Sequence, residues 1–280
     1  MTEISIRMLE DSHDLYAAVE LQKVYWGEDM SDLVPFHMLK SICNHGGHVH
    51  AAFDGQEMVG MLLGFLGADI QSGINNDAPS RMLIMSKRMV VKPQYRGQKI
   101  GEMLKLAQAN YARDHNIQLV SWTFDPILSR NAYLNINKLH ANGQRYIEDY
   151  FGPGQENPVL SADRLVANWW VNHSHVKKPA HVNIGNSPVA NGVSLSADGL
   201  LVPLEFRLPE HDVIRLEIPP EFQPIERIDP PLAKRWRDHV RVAFQRILAA
   251  GFIATDFHRV ENRVFYVFTR DDGTFDFQDR

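Results

Sequence analysis

The chemistry legible in this chain is concentrated in one run, Val90-Val91-Lys92-Pro93-Gln94-Tyr95-Arg96-Gly97-Gln98-Lys99-Ile100-Gly101. Pro93 ends an apolar strand pattern, and helical periodicity begins with Ile100, Met103, Leu104, Ala107 and Tyr111. A short turn between a strand and a helix leaves the first-turn amides without intrahelical acceptors, and the helix dipole adds partial positive charge there. A diphosphate is the natural occupant of such a place. Gly97 and Gly101 permit close backbone approach, while Arg96 and Lys99 add cationic donors. The glycine spacing is neither that of a Walker loop nor that of a dinucleotide fingerprint.

The flanking segments supply the frame for this turn. Ile4 to Met8 alternates as a strand. Asp11 or Ser12 caps a helix with Leu15, Ala18, Val19 and Val24 on one face, and Pro35 opens a second helix carrying Phe36, Leu39 and Ile42. Val49–Phe53 and Met58–Leu66 flank Asp54-Gly55, a strong hairpin signal. A polar loop from Gln71 to Pro79 leads to a strand over Met82–Val91. After the helix come a strand over Ile117–Phe124, a helix over Asn131–His140 and a strand over Arg145–Phe151. Strand–helix–strand of this length predicts parallel neighbours joined by a right-handed crossover.

Gly152-Pro153-Gly154 breaks the composition, which places the domain boundary between residues 1–152 and 153–280. Beyond it the sequence reads as a strand over Leu165–Val171, a loose stretch over Asn172–Asp198 and a strand over Val213–Ile218. A helix then carries Leu232, Trp236, Val240, Ala243, Phe244 and Ile247 on one face, and strands follow over Phe252–Phe257 and Val264–Thr269. The order strand, proline, helix, strand thus occurs twice, which suggests a degenerate duplication.

Composition narrows the function classes. The chain has 280 residues, 44% apolar and 22% charged, the profile of an ordinary globular protein. The lone Cys43 forms no internal disulfide, and a reducing cytoplasm is the expected compartment. The longest run rich in apolar residues, Met58–Ile70, is too short for a membrane span of roughly 20 residues. Glu3, Glu10 and Asp11 interrupt any basic-then-apolar leader, so export is not expected. Net charge is −5, with 14 basic and 17 acidic residues in 1–152 and 15 and 17 in the remainder. Neither half is a basic nucleic-acid domain. Arg81 to Lys105 departs from this balance, with seven basic residues against Glu102 alone. A compact positive focus on an acidic chain suits a small polyanion; its plainer reading is a solvated strand face.

The run around Arg96–Gly101 resembles the acyl-coenzyme A loop of the GNAT acetyltransferase superfamily, whose signature is Arg/Gln-x-x-Gly-x-Gly/Ala after a strand ending near Val-x-Pro. Arg96, Gly97, Gly101, Val91 and Pro93 match, while Lys99 stands where the central glycine is usual. The resemblance extends over roughly residues 3–152, through Gly47–Gly55 and Val59-Gly60, and the helix beginning Ser129-Arg130-Asn131-Ala132 resembles the family's second cofactor-contacting element, with Asn131 in the usual asparagine place. Phe124-Asp125-Pro126, Arg130–Asn135, Tyr150-Phe151-Gly152, Asp163-Arg164 and Trp169 are similar to a narrower branch with an extra C-terminal domain.

The resemblance implies an α/β fold: a GNAT-type mixed sheet with flanking helices, plus a C-terminal α/β domain that covers or extends the cleft. It implies an N-acyltransferase using acetyl-CoA or another short acyl-CoA such as succinyl-CoA, without a metal, on a primary amine of a small molecule or amino acid. The backbone of Met89, Val90 and Val91 would bind the pantetheine arm, with an amide near Val90 as oxyanion donor. Gln98, Lys99 and Ile100 would join Arg96, Gly97 and Gly101 at the diphosphate. Tyr133 is the candidate acid for the leaving thiolate, against a plain packing role, with Asn137 in the turn where relatives carry a tyrosine. Asp125 is a candidate base, against an ordinary helix-entry turn. No glutamate lies in Met82–Met89, where many relatives have one. The alternative function is a non-catalytic acyl-CoA sensor or scaffold.

Other clusters carry less. His45, His48 and His50 have no carboxylate or cysteine at ligand spacing, and His173 and His175 lie in a polar loop. Cys43, Trp169-Trp170 and the methionines of Met82–Met89 read as packing residues.

Overall fold

The computed structural model describes residues 3–29, 32–69, 80–152, 163–177 and 184–270. The loop Gln71–Pro79 and the segment following Gly152 lie outside the described residues. Contacts divide the chain into two compact units, Met1–Trp122 and Thr123–Arg280. That division precedes the break at Gly152 because the strand after it pairs with C-terminal strands, as set out below.

In the first unit, β1 (Ile4–Met8), α1 (Ser12–Trp26), α2 (Phe36–Asn44), β2 (His48–Asp54), β3 (Glu57–Asp69), β4 (Arg81–Val91), α3 (Ile100–Asp114) and β5 (Leu119–Phe124) follow in order. The last two residues of β5 belong to the second unit. Asp11 caps α1 by accepting the Asp14 N–H at 2.8 Å. The Asp54-Gly55 turn closes the β2–β3 hairpin with Gly55 at φ +58°. Asn116, at φ +56°, follows α3, and Ile117 N–H returns to Ala112 O at 2.8 Å. Strands β1 to β4 pair antiparallel in sequence order, and β5 joins β4 in parallel, the expected crossover.

Each face of this sheet has its own core. Against α1 and α2 lie Leu15, Ala18, Val19, Leu39, Val49, Ala51, Met61, Leu63 and Val90, with Trp26 and Val34 beside them. On the other face Ile100 and Leu104 of α3 pack on Ala52, Val59 and Leu62, with Met89 and Val91 alongside. Gly60 makes room for α3: a Cβ there would stand 3.2 Å from both Ile100 Cγ2 and Val90 O. Val24, expected on the buried face of α1, is exposed, as is Met82 in β4.

Two irregularities meet in β4. Leu62 pairs with Met89 but Gly64 pairs with Ser86, so Lys87 and Arg88 together oppose Leu63 in a β-bulge. The β4–β5 ladder holds only at Ile84–Val120 and Met85–Ser121 within this unit. Met89–Val91 lies beyond those pairs, and among the described residues of this unit the end of β4 has an open edge.

The second unit begins with the end of β5 and a short helix, α4 (Ser129–Ala132), that widens into a π-helical turn over Tyr133–Lys138. Then come β6 (Asn142–Ile147), β7 (Arg164–Trp170), α5 (Ser174–Lys177), β8 (Asn191–Leu195), β9 (Leu201–Phe206), β10 (Val213–Ile218), α6 (Gln223–Ile228), α7 (Pro230–Ala249), β11 (Phe252–Val260) and β12 (Arg263–Arg270). β6 starts before the expected Arg145 and ends at Ile147. It pairs with β7, and Gly143 meets Ala254 of β11. The stretch read as loose contains β8, which pairs with β9. Helix α7 is capped by Asp229, which accepts the Leu232 N–H at 3.0 Å, and buries Trp236, Val240, Ala243, Phe244 and Ile247 as its spacing predicts. The second strand–helix–strand repeats element order without repeating pairing: β12 lies antiparallel between β10 and β11. Among the described residues no helix is long and apolar enough to cross a membrane.

Candidate functional site

The turn between β4 and α3 is built as the sequence requires, with one addition. A single 3₁₀ turn, Pro93–Tyr95, follows the strand, and Gly97 takes φ +86° with nothing within 4 Å of a built Cβ. Lys99 also adopts the left-handed conformation, at φ +62° and ψ 12°, as the residue preceding α3. A lysine thus occupies backbone space that glycine fills most easily, which explains why a glycine is usual there. The first hydrogen bond into the helix runs from Met103 N–H to Lys99 O at 3.0 Å. Among the described residues no acceptor takes the N–H groups of Gly97, Gln98, Lys99, Ile100, Gly101 or Glu102. Six consecutive donors at a helix N-terminus, beside a glycine with open space around it, fit a diphosphate. Ile100 contributes only its amide, because its side chain is buried under the sheet.

The hairpin turn braces this loop. Lys92 Nζ donates to Glu57 at 2.6 Å, and the Tyr95 hydroxyl donates to Asp54 at 3.0 Å and lies 3.3 Å from Glu57. Those carboxylates, Asp54 first, push the Tyr95 pKa up to about 12. The cationic window is correspondingly less uniform than its count. Lys92 is neutralised by Glu57, and Lys105 is buried in α3 with Nζ 2.9 Å from Ser86 Oγ and 3.3 Å from the Trp122 ring centroid. Burial without a carboxylate pushes the Lys105 pKa well down. Arg96 and Lys99 remain as exposed cations on the loop itself.

Ladder phase decides which main-chain groups reach the open edge of β4. Lys92 N–H donates to Val59 O at 2.9 Å, and antiparallel hydrogen bonds return at every second residue. Val90 therefore spends its main-chain groups on Met61 of β3, while those of Met89 and Val91 turn away from β3. Arg96 Nε lies 3.4 Å from Val91 O on that side. The expected donor near Val90 is thus displaced by one residue in either direction.

The remaining candidates lie in the second unit. Asp125 has partners on both oxygens: Oδ1 accepts the Ile127 N–H at 3.1 Å and Oδ2 meets Arg237 Nη1 at 3.1 Å, which makes it a helix-entry turn and an ion pair. Tyr133 is exposed, with Lys138 Nζ 5.4 Å from its ring centroid. It shares a cavity of about 620 Å³ with Ser129, Arg130, Phe222, Phe257 and Arg259. Asn131 N–H closes the first turn of α4 on Leu128 O, and Asn137 donates to Asp256 at 3.2 Å.

The histidines are packed among aromatic and amide groups. His48 Nε2 pairs with Gln108 at 2.9 Å, its ring lies 4.8 Å from that of His50 and 4.3 Å from Tyr111, and burial lowers the pKa of His48 to about 3 and of His50 to about 4. The one group of three metal-capable side chains among the described residues is Asp11, His13 and Asp14. Asp11 there already caps α1, and Asp14 pairs with Arg7 at 2.5 Å. Sequence reasoning missed the β4 bulge, Arg88 and Lys105; only their position within the cationic window signalled them.

Structural likeness is found to the ribosomal-protein-S18-alanine N-acetyltransferase of Escherichia coli, at 12% identity and a TM-score of 0.46 over 60% of this chain and 94% of that one. Arabidopsis thaliana NAA60 in complex with acetyl-CoA gives 15% and 0.48 over 60% and 99%, and FeeM, an N-acyl amino acid synthase from uncultured soil microbes, gives 12% and 0.44 over 61% and 92%. At such identities and scores these likenesses carry no argument about activity. No curated protein matches the sequence. A family model for the acetyltransferase (GNAT) family matches residues 12–133. The segment 12–133, which holds the parallel β4–β5 pair and the glycine-containing turn into α3, belongs to the acetyltransferase (GNAT) family.

Proposed function

We propose that the first unit binds the diphosphate of an acyl-CoA on the amides of Gly97–Glu102 and works as an N-acyltransferase on a primary amine of a small molecule or amino acid. The observation that carries this reading is the run of six unaccepted N–H groups entering α3, next to the open edge of β4. Arg96 and Lys99 add charge to that cradle. On the open edge, an amide of Met89 or Val91 donates to the thioester carbonyl oxygen, where negative charge grows as the amine attacks. The C–N bond forms and the C–S bond breaks; the thiolate leaves with the electron pair and takes a proton, and the amine nitrogen gives one up to solvent. Asn131 and Tyr133 enter on the resemblance alone, and Asn131→Ala and Tyr133→Phe test them by affinity and by kcat respectively.

Asp125 is assigned no part as a base in this reading, since its oxygens already pair with the Ile127 N–H and Arg237 within the second unit. That observation, with the absence of acidic residues from Met82–Met89, favours one second reading, an acyl-CoA-binding protein without turnover. Titration calorimetry with CoA and acetyl-CoA, combined with free-thiol release across an amine panel, separates the two. Binding with thiol release supports the transferase, binding alone supports the sensor, and no binding removes both.

A further inference from the structure

Arg88 is the second residue of the β4 bulge, and it lies two positions before Val90, on the sheet face covered by α1 and α2. Its guanidinium carbon stands 4.5 Å from the ring centroid of Trp26, at the end of α1. Its Nε and Nη1 are shielded from solvent and have no hydrogen-bond partner among the described residues. The nearby charge is Asp32, which acts on Arg88 from beyond ion-pair distance. On the same sheet face, buried Gln22 of α1 accepts the Val34 N–H at 2.9 Å and donates to Val34 O at 3.0 Å, which pins the chain where it returns to α2. Unpaired guanidinium nitrogens in a shielded site are costly, and a planar carboxylate matches their fork.

Placement gives this cation a task. The acyl carrier in the proposed reaction enters at the N-terminus of α3, on the opposite face of the sheet. An amine attacking from the other side of the thioester plane would come from the α1/α2 face, where Arg88 lies beyond the Ile84 and Met85 pairs to β5 and precedes Met89. Resting on the acyl-transfer reading above, we propose that Arg88 is the specificity residue for the acceptor, which carries a carboxylate close to its reacting amine. The bulge makes this possible, since it inserts the residue that turns Arg88 onto the α1/α2 face while Met89 keeps its main chain on the open edge. The Trp26 ring covers one side of the guanidinium plane.

The test uses the full chain and matched pairs of ligands, each common amino acid against its own carboxamide. The carboxamide has the less basic amine and is the better nucleophile at neutral pH, so a preference for the acid reports the carboxylate. In the wild type, the best acid is expected to be turned over with acetyl-CoA at least about tenfold better in kcat/KM than its amide, and to raise the Tm where the amide does not. Arg88→Gln should remove that ratio through KM, and Arg88→Lys, which keeps charge without the fork, should keep only part of it. A purely structural role would lower acid and amide turnover together and leave the ratio intact, which overturns the proposal. Equal use of acid and amide by the wild type, or acetyl-CoA binding without turnover of any carboxylate-bearing amine, also overturns it. The thermal shift needs no acyl carrier: a shift by acids that is lost in Arg88→Gln upholds the anion site even where calorimetry with acetyl-CoA fails. Loss of that calorimetric signal alone refutes the acyl-transfer reading.

Discussion

Lys105→Met isolates the buried cation inside α3. Lys105 is 3% exposed, with Ser86 Oγ and the Trp122 ring as its neighbours and no carboxylate in contact. Methionine keeps the unbranched stem and removes the group that must be desolvated. Against that gain stand an orphaned Ser86 hydroxyl, about 1 kcal/mol, and a lost cation–π contact, up to about 2 kcal/mol. Replacing a buried charge by an apolar side chain of similar volume commonly stabilises by about 1–4 kcal/mol, so a net gain of about 1–2 kcal/mol is expected at pH 7. The pH dependence is the sharper signature. Burial depresses the folded pKa of Lys105 from its ordinary 10.5, so the unfolded chain holds more protons than the folded one between those two values. Wild-type stability therefore rises with pH through that window, by about 1.4 kcal/mol per pH unit, while the methionine variant lacks this slope. Urea unfolding over a pH series running up to 10 should show the advantage of Lys105→Met shrinking once the pH enters that window. Parallel pH profiles for the two proteins would mean that Lys105 stays protonated in the fold, and the burial argument would fail.

Three further outcomes follow from the same geometry. Gly101→Glu sets a carboxylate in the first turn of α3, where the dipole tolerates it but a diphosphate does not; calorimetry should show CoA affinity reduced by at least about tenfold with Tm retained. Gly64→Ala would bring a Cβ to 2.5 Å from the His48 ring and 2.6 Å from Gln108 Nε2; urea midpoints should report a loss of about 1–3 kcal/mol, and an unchanged midpoint would contradict this packing. His48 and His50, held neutral with pKa values of about 3 and 4, stabilise fully above the unfolded value of 6.5 and lose that contribution as pH falls toward the folded values. At pH 5 each should cost about 2 kcal/mol relative to pH 7 while its imidazole resonances stay in the neutral position, and titration of those resonances near 6.5 would refute it.

What could be read from the sequence was whatever rests on local pattern. The Asp54-Gly55 hairpin, the α3 stripe and the α7 stripe are periodicities of single elements, and they formed as their spacing requires. The turn Pro93–Gly101 was legible for the same reason: proline, glycine and a following helix fix a loop almost without tertiary help. What could not be read depends on pairing between distant segments. β8 and β9 are short and lack clean alternation, so only their mutual ladder makes them strands. The attachment of β6 to β11 is a contact across more than a hundred residues, and it moved the division of the chain ahead of the conspicuous glycine–proline break. Asp125 read equally well as a base or as a turn, and Arg237, far along the chain, decided between them.

The cationic window shows why a charge count underdetermines a site. Seven basic residues between Arg81 and Lys105 look alike in the sequence, yet the fold gives them different work. Lys92 braces the loop through Glu57, Lys105 is buried beside Ser86 and Trp122, and Arg88 is turned onto the opposite face under Trp26. Arg96 and Lys99 alone stand on the loop where the unaccepted amides gather. Within β4 the sorting is done by strand alternation and by one extra residue, because a single-residue shift exchanges the two faces of a strand. The bulge at Lys87-Arg88 therefore fixes together which side chain looks toward α1 and α2 and which backbone groups are left for the open edge. The two halves of the site are consequences of one register.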